Sequence, residues 1–333
     1  MNITTLVDLA DYLKLDKSTV SRALSGKPGV SVRTRERVVR VAREVGYVPN
    51  IHGQRLRNGH SKTLGLLVYE LQVFATRFHG PLTLEIISAV ASRGYDLSVV
   101  DAAQYPQEDI AHVLFQKGVA GVVIMGGSYP AEALGALWKS ALPAIQLDVH
   151  SDDFPDLPFV ASNNFDGVYR VTRYLIALGH RRLACLGDPD RLSCYRERYR
   201  GFQQALAEAG LEEIGRSPVP DERHAAELLR AMPRPTAIVA LSDTYAEGAV
   251  AAARACDLAI PRDLSVTGFD DIDKSLVASL SLTTVRADLG GLARAAIDFL
   301  VSPGTTGSSR AEIEVETELI FRGSSGPAPP ATR

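Results

Sequence analysis

The chain has 333 residues, more than one ordinary hydrophobic core accommodates, so two or three domains are expected. With 46% hydrophobic and 23% charged residues, wholesale disorder is excluded. The formal net charge of −3 conceals a split: residues 1–60 carry 11 Lys/Arg against five Asp/Glu, and the remainder carries 25 against 34. A basic head on an acidic body directs the head toward a polyanion, with a merely solvated basic surface as the alternative.

No apolar run reaches membrane-spanning length, and Met1–Ala10 lacks the pattern of a signal peptide. Cys185, Cys194 and Cys256 are scattered without C-x-x-C spacing, so neither a disulfide framework nor a thiolate metal site is expected. The expectation is a cytoplasmic protein with no metal and no cofactor.

In chain order, the head reads as three short helices. Leu6, Leu9, Ala10 and Leu13 form one helical stripe, with Thr4 or Thr5 as cap. Asp16 precedes a second helix, Lys17–Leu24, with Val20 and Leu24 inward. Only Lys14 and Leu15 stand between the first two, the spacing of a helix-turn-helix. Ser31 caps a third helix striped by Val38, Val41, Ala42 and Val45, and Gly46 stands at a left-handed C-cap position. Pro49–Lys62 is polar and basic and reads as a linker, in which Ile51–Arg57 has room for two helical turns, too few to persist alone.

From Thr63 the rhythm changes. Strands are expected at Leu64–Val68, Tyr95–Val100, Val119–Met125, Ala144–Leu147, Phe159–Ala161, Leu183–Leu186, Ala237–Leu241 and Leu264–Gly268. Helical stretches such as Leu82–Ser92, Gly167–Leu178, Tyr199–Ala209, Tyr245–Ala255 and Leu289–Leu300 separate them. That alternation predicts parallel sheets covered on both faces, in two α/β subdomains across a cleft. Ser302–Arg310 reads as a surface loop, Glu312–Arg322 as one final strand, and the tail from Ser324 as disordered.

Chemistry follows from placement. Lys17, Ser18 and Arg22 share the outward face of the second helix, and Arg22 has the reach to grip guanine O6 and N7. Thr5, Ser21, Ser31 and Thr34 are suited to phosphate oxygens. A three-helix protein-interaction module is the alternative. Tyr69, Glu70, Phe74, Phe78 and His79 follow the first strand of the body and should line its side of the cleft, where stacking on a sugar and ordinary packing are equally open.

Thr5-Leu-Val-Asp-Leu-Ala10, Ser18-Thr-Val-Ser-Arg22, Val30-Ser-x-x-Thr34 and Gly46-Tyr-Val-Pro-Asn50 resemble the head of the lactose-repressor (LacI–GalR) family. The resemblance continues through Leu178-Gly-His180, Arg198-x-x-Gly-Phe202, Gly268-Phe-Asp-Asp271, Leu282-Thr-Thr284 and Glu318-Leu-Ile-Phe-Arg-Gly-Ser324, nearly the whole chain.

It implies an all-α helix-turn-helix head (1–47), a hinge linker (48–62) and a two-lobed α/β body of two doubly wound parallel sheets (63–323), similar to periplasmic binding proteins. The near lobe would take 63–160 and 289–317, the far lobe 161–288 and 318–323, leaving 324–333 as tail. It also implies a homodimer on pseudo-palindromic double-stranded operator DNA. Paired hinge helices would insert Leu56 into the minor groove, with Asn50, Gly53 and Arg55 beside it.

Asp148, Arg198 and Asp270 match the family's ligand-gripping positions, and Ser242 stands where Asn is frequent; a salt-bridge network without ligand is the alternative. Carboxylates around a guanidinium suit a polyhydroxylated effector, so a sugar that relieves repression is expected, with a co-repressor or activating arrangement as the other possibility. Two departures carry a cost: Gly53 replaces the usual Ala, and Lys14 stands where the turn commonly has Gly. Catalysis is not expected. No G-x-G-x-x-G follows a strand, Gly126-Gly127 lacks a P-loop lysine, no G-x-S-x-G occurs, and the seven His are dispersed.

Overall fold

A computed structural model describes residues 6–24, 28–45, 61–127, 129–219, 221–271, 281–302, 305 and 310–330. The chain divides into two units, Met1–Ser61 and Lys62–Arg333. In the first, helices α1 (Leu6–Leu13), α2 (Lys17–Leu24) and α3 (Val32–Glu44) surround one small core. Leu9, Ala10 and Leu13 meet Val20, Ala23, Val38 and Ala42 there, because i, i+3, i+4 spacing puts each set on one face.

α1 stops in a Schellman turn: the Leu15 N–H donates to Ala10 O at 3.0 Å and the Lys14 N–H to Asp11 O at 3.2 Å. Lys14 lies at φ 54°, the region glycine favours, at a cost of about 1–2 kcal/mol for an L-residue. Arg37 of α3 reaches back and donates to Leu13 O at 3.3 Å, tying the third helix to the turn.

The second unit holds strands β1 (Thr63–Val68), β2 (Asp96–Asp101), β3 (Gly121–Met125), β4 (Ala144–Leu147), β5 (Phe159–Ser162), β6 (Leu183–Leu186), β7 (Arg216–Ser217), β8 (Ala237–Ala240), β9 (Ser265–Asp270), β10 (Thr283–Ala287), β11 (Glu312–Val315) and β12 (Thr317–Ile320). They form two six-stranded sheets, ordered β11-β5-β4-β3-β1-β2 and β12-β10-β9-β8-β6-β7. All pairings are parallel except β10 with β12. Each sheet winds outward from its first strand in both directions, so the switch points lie between β1 and β3 and between β6 and β8. Continuous apolar runs such as Leu64–Val68 and Leu183–Leu186 are buried because helices cover both sheet faces.

The chain crosses between sheets three times. After β5, helix α7 (Asn164–Ala177) packs on the second sheet; after β10, helix α11 (Leu289–Val301) packs back on the first. Both helices start at the crossing under a side-chain cap, Asn163 accepting from Asp166 N–H at 3.1 Å and Asp288 from Gly291 N–H at 2.8 Å.

The third crossing corrects the expected single strand over Glu312–Arg322. Apolar alternation runs through it, but the pairing partner changes: Glu312–Val315 pairs with β5 and Thr317–Ile320 with β10, so the strand divides at Glu316. β10 lies outside the expected strands, because Thr283-Thr284 interrupts its apolar pattern.

The expected disordered tail is also corrected over 324–330. Ser324 is 1% exposed; it donates to Val266 O at 2.6 Å and accepts from Thr283 N–H at 2.8 Å. Buried His180 binds Thr236 Oγ1 at 2.9 Å, Ser265 Oγ at 3.1 Å and Gly326 O at 3.1 Å, and Ala328 N–H reaches Leu178 O. Hydroxyls, not apolar side chains, dock this segment onto the starts of β9 and β10, which a hydropathy pattern does not register.

Candidate functional site

In the head, Lys17, Ser18 and Arg22 are exposed on α2, while Ser21 is half-buried. Ser31 and Thr34 serve α3 itself: Ser31 Oγ accepts from Thr34 N–H at 3.1 Å and meets Thr34 Oγ1 at 2.8 Å. Thr5, Gly46, Asn50, Gly53, Arg55, Leu56 and the two-turn hinge segment lie outside the described residues, as does most of the 302–310 loop.

In the body, a cationic centre is built from the far sheet. Helix α8 (Ser193–Glu208) carries Arg198, 1% exposed. Its Nε donates to Asn164 Oδ1 at 2.7 Å, its Nη1 to Leu241 O at 2.6 Å, and its Nη2 lies 3.2 Å from Asp270 Oδ1. The guanidinium carbon rests 3.6 Å from the Phe269 ring centroid, a desolvated cation–π contact. Burial opposes its charge, but the Asp270 and Asp148 carboxylates outweigh that and hold it protonated.

Three buried acids share this cation. Burial pushes Asp148 upward from the usual carboxylate range, with Arg198 and then His79 pulling the other way. Burial raises Asp270 and Asp243 as well, Arg198 opposing it for the first and the Thr284 hydroxyl for the second. Asp243 is a fixture of the scaffold: it accepts from Thr284 Oγ1 at 2.6 Å and from Asp271 N–H at 2.9 Å. Asp148 (φ 70°) and Asp270 (φ 117°) both leave their strands in the left-handed half of conformational space, where strain turns a side chain out of the sheet.

Asp148 Oδ1, His79 Nε2 and Ser162 Oγ are buried without a hydrogen-bond partner, a pattern that ordinary packing avoids and a ligand or water relieves. His79 is fixed by Thr76 Oγ1 at 2.8 Å from its Nδ1, and burial lowers its basicity.

Asp148, Arg198 and Asp270 therefore come together electrostatically. Ser242 instead caps helix α10 (Asp243–Ala255), accepting from Tyr245 N–H at 3.4 Å. Glu70 (φ 73°) is exposed in a separate recess of about 330 Å³ at the ends of β1 and β3, with Tyr69, Gly126 and Tyr129. Phe74 and Phe78 are half-buried against the near sheet's core. Asn164, which orients Arg198, is not singled out by the sequence. The available signal is the pair Asn163-Asn164 directly after a strand: the first caps the helix, which frees the second to face inward.

The two lobes touch through side chains. His150 N–H donates to Ser193 Oγ at 2.9 Å, Arg196 forks onto both Asp152 oxygens at 2.7 and 2.8 Å, and Arg77 pairs with Glu247.

This geometry has counterparts in known proteins. Residues 5–50 match the family described as bacterial regulatory proteins, lacI family, and residues 172–325 match the periplasmic binding protein-like domain. The transcriptional regulator AglR of Rhizobium meliloti is 31% identical over 97% of this chain and 95% of its own. The chain belongs to the LacI family. The repressor CytR of Escherichia coli K12 is 29% identical over 98% of this chain and 97% of its own. The lac repressor dimer bound to operator and the anti-inducer ONPF superposes with a TM-score of 0.84 at 25% identity, covering 97% and 99% of the two chains. A complex of the regulator CelR with cellobiose gives 0.68 at 25% identity, covering 96% and 99%. Among the described residues, no helix is long and apolar enough to cross a membrane.

Proposed function

We propose that this LacI-family chain is a cytoplasmic repressor that binds pseudo-palindromic operator DNA as a homodimer and is released by a small polyhydroxylated effector, a sugar, bound around Arg198. The observation that carries the effector reading is the buried Arg198 centre, where Asp148 Oδ1 and His79 Nε2 lack partners beside an ionised guanidinium. Hydroxyl groups that both donate and accept would satisfy those atoms together. The CelR–cellobiose likeness supports a sugar over other neutral ligands.

The DNA reading is supported by the exposed Lys17, Ser18 and Arg22 face on a helix held by a Schellman turn. Arg22, Lys17 and Ser18 are the base-reading residues, the hydroxyls of Ser31 and Thr34 lie at the start of α3 where phosphates dock, and Ser21, midway along α2, is the further phosphate contact. Thr5, and the hinge residues Asn50, Gly53, Arg55 and Leu56, belong to the same proposal.

A dimer is supported by apolar side chains left in solvent on the near lobe: Leu84 and Ile87 of helix α4 (His79–Ser92), 68% and 47% exposed, and Val99 of edge strand β2, 46% exposed.

Selection of bound duplexes from a random pool, followed by operator titration with and without mono- and disaccharides, tests the reading. A preferred palindrome whose affinity drops in the presence of one sugar is the expected result. No preference over random competitor overturns the DNA assignment, and a preference that no sugar alters overturns the effector assignment.

A further inference from the structure

A chamber of about 290 Å³ lies between the lobes on the side of β11, room for one compact ring. Asp148, Ser162, Asn164, Ser193 and Cys194 line its inner wall; Glu197, Glu312 and Glu314 line the outer wall; His150, Phe159 and Phe165 add aromatic surface. Glu312 and Glu314 sit two apart on β11 and so share one face of that strand. Charges on an edge strand also blunt unwanted pairing. Here, however, they face a wall in which Asp148, 6% exposed, and Ser162, 3% exposed, each hold a side-chain oxygen without a partner.

We propose that this chamber binds a compact organic cation, an ammonium-bearing ligand whose charge lies between Glu314 and Asp148 and whose ring lies against Phe159 and Phe165.

The balance of charge supports this occupant over others. Arg310 already faces Glu312 at 3.0 Å and Arg200 faces Glu197 at 2.8 Å, so Glu314 carries the surplus on the outer wall, while Asp148, which already has Arg198 as its cation, offers its unpartnered oxygen as a hydrogen-bond acceptor. His150, stacked on Phe159 at 4.4 Å between centroids, does not offset it, because burial lowers its basicity although Asp152, Glu197 and Glu312 act the other way. A phosphorylated or carboxylate ligand meets like charge on the outer wall. A metal ion is not the occupant either: among the described residues, no three His, Cys, Asp or Glu side chains converge to hold one. Spread carboxylates with aromatic surface between them match an ammonium on a carbon framework, which takes charge, hydrogen bonds and apolar contact at once.

This deepens the effector reading and rests on it for any consequence at the operator. The test is calorimetric titration of the full-length protein with D-glucosamine and with D-glucose, repeated on Glu314→Gln and on Glu312→Gln/Glu314→Gln, with operator affinity measured alongside. Both glutamates are exposed on an edge strand, so circular dichroism should show the fold intact. Glucosamine should bind about tenfold tighter than glucose at neutral pH, and the double variant should erase that preference. Equal affinity for the two sugars, binding of neither, or a preference that survives the double variant overturns the proposal. A charge-dependent preference with unchanged operator affinity leaves the chamber standing and overturns the effector reading. A neutral sugar that shifts operator affinity without any amine preference does the reverse.

Discussion

The two lobes of the body share one winding order, and its equivalent strands β4 and β9 both end in an aspartate at positive φ, Asp148 and Asp270, yet the neighbouring strand ends carry different chemistry. The near sheet ends β1 and β3 in Tyr69-Glu70 and Gly126-Gly127, a recess of small and aromatic residues. The far sheet ends the corresponding β6 and β8 in Gly187-Asp188 and Ser242-Asp243, and α8 adds Arg198 beside Asp270. Permanent charge therefore resides in the far lobe, while the near lobe brings Asp148 and His79 up to it. The contrast teaches that a doubled fold need not double its function: one copy holds a rigid electrostatic anchor, and the other supplies groups whose hydrogen bonds are completed only when something fills the space.

The largest test of that division removes the anchor. Arg198→Met keeps most of the side-chain volume but leaves Asp270 and Asp148 buried without their cation. Losing one partner of a buried pair costs about 3–5 kcal/mol. Urea unfolding of the body should show a midpoint displaced accordingly, with response to any effector lost. A midpoint within experimental error of the parent would mean the far lobe does not depend on this charge.

Next in size is the strap formed by residues 324–330 across the far lobe. Ser324→Ala leaves Thr283 N–H without its acceptor and Val266 O without its hydroxyl donor. An unsatisfied buried group costs about 1–3 kcal/mol. The unfolding midpoint should fall and amide exchange should quicken at Thr283 while the amides of β1 and β3 keep their protection. Uniform loss across both sheets would show that the strap serves the whole body.

A third test uses pH. Asp270 and Asp243 have raised folded-state affinity for protons, through burial first. The folded state then holds protons that the unfolded chain has released, so their contribution is full in acid and is lost as pH rises through their raised range. One such proton changes stability by up to about 1.4 kcal/mol per pH unit. Between about pH 5, above the ordinary carboxylate range, and about pH 8, where Asp270 releases its proton, the ligand-free protein should lose stability faster than Asp270→Asn. Parallel profiles for the two would place the acidity elsewhere.

The sequence made much of this legible, for reasons that differ by element. α2 fell on its expected residues because short helices bounded by Asp16 and a tight turn leave little freedom. The body strands were readable because parallel sheets covered on both faces write themselves as unbroken apolar runs. The strand β10, the division at Glu316 and the Ser324 strap were not readable, since each is decided by a pairing partner remote in sequence. At the candidate site, Asp148, Arg198 and Asp270 could be named because a family resemblance lined them up. Asn164 needed the three-dimensional crossing after β5, and the capping duty of Ser242 needed the start of α10. Lys14 shows a departure found where it was expected: the turn demands φ 54° whichever residue occupies it.

The smallest effect concerns what joins the lobes. Arg196 on the far lobe meets Asp152 on the near lobe in a bidentate pair, but the side chains are 37% and 67% exposed. Water and salt screen such a pair, and exposed pairs contribute about 0.2–1 kcal/mol. Arg196→Ala should therefore leave unfolding almost unchanged. The lobes nevertheless form one compact unit with few polar ties between them among the described residues, so a small bias acts on their relative closure more than on the stability of either. The expected result is a shift of about twofold in effector affinity that shrinks as salt is added, with the unfolding midpoint within error of the parent. A salt-independent shift would instead assign the contact between lobes to His150 and Ser193, whose hydrogen bond carries no net charge to screen.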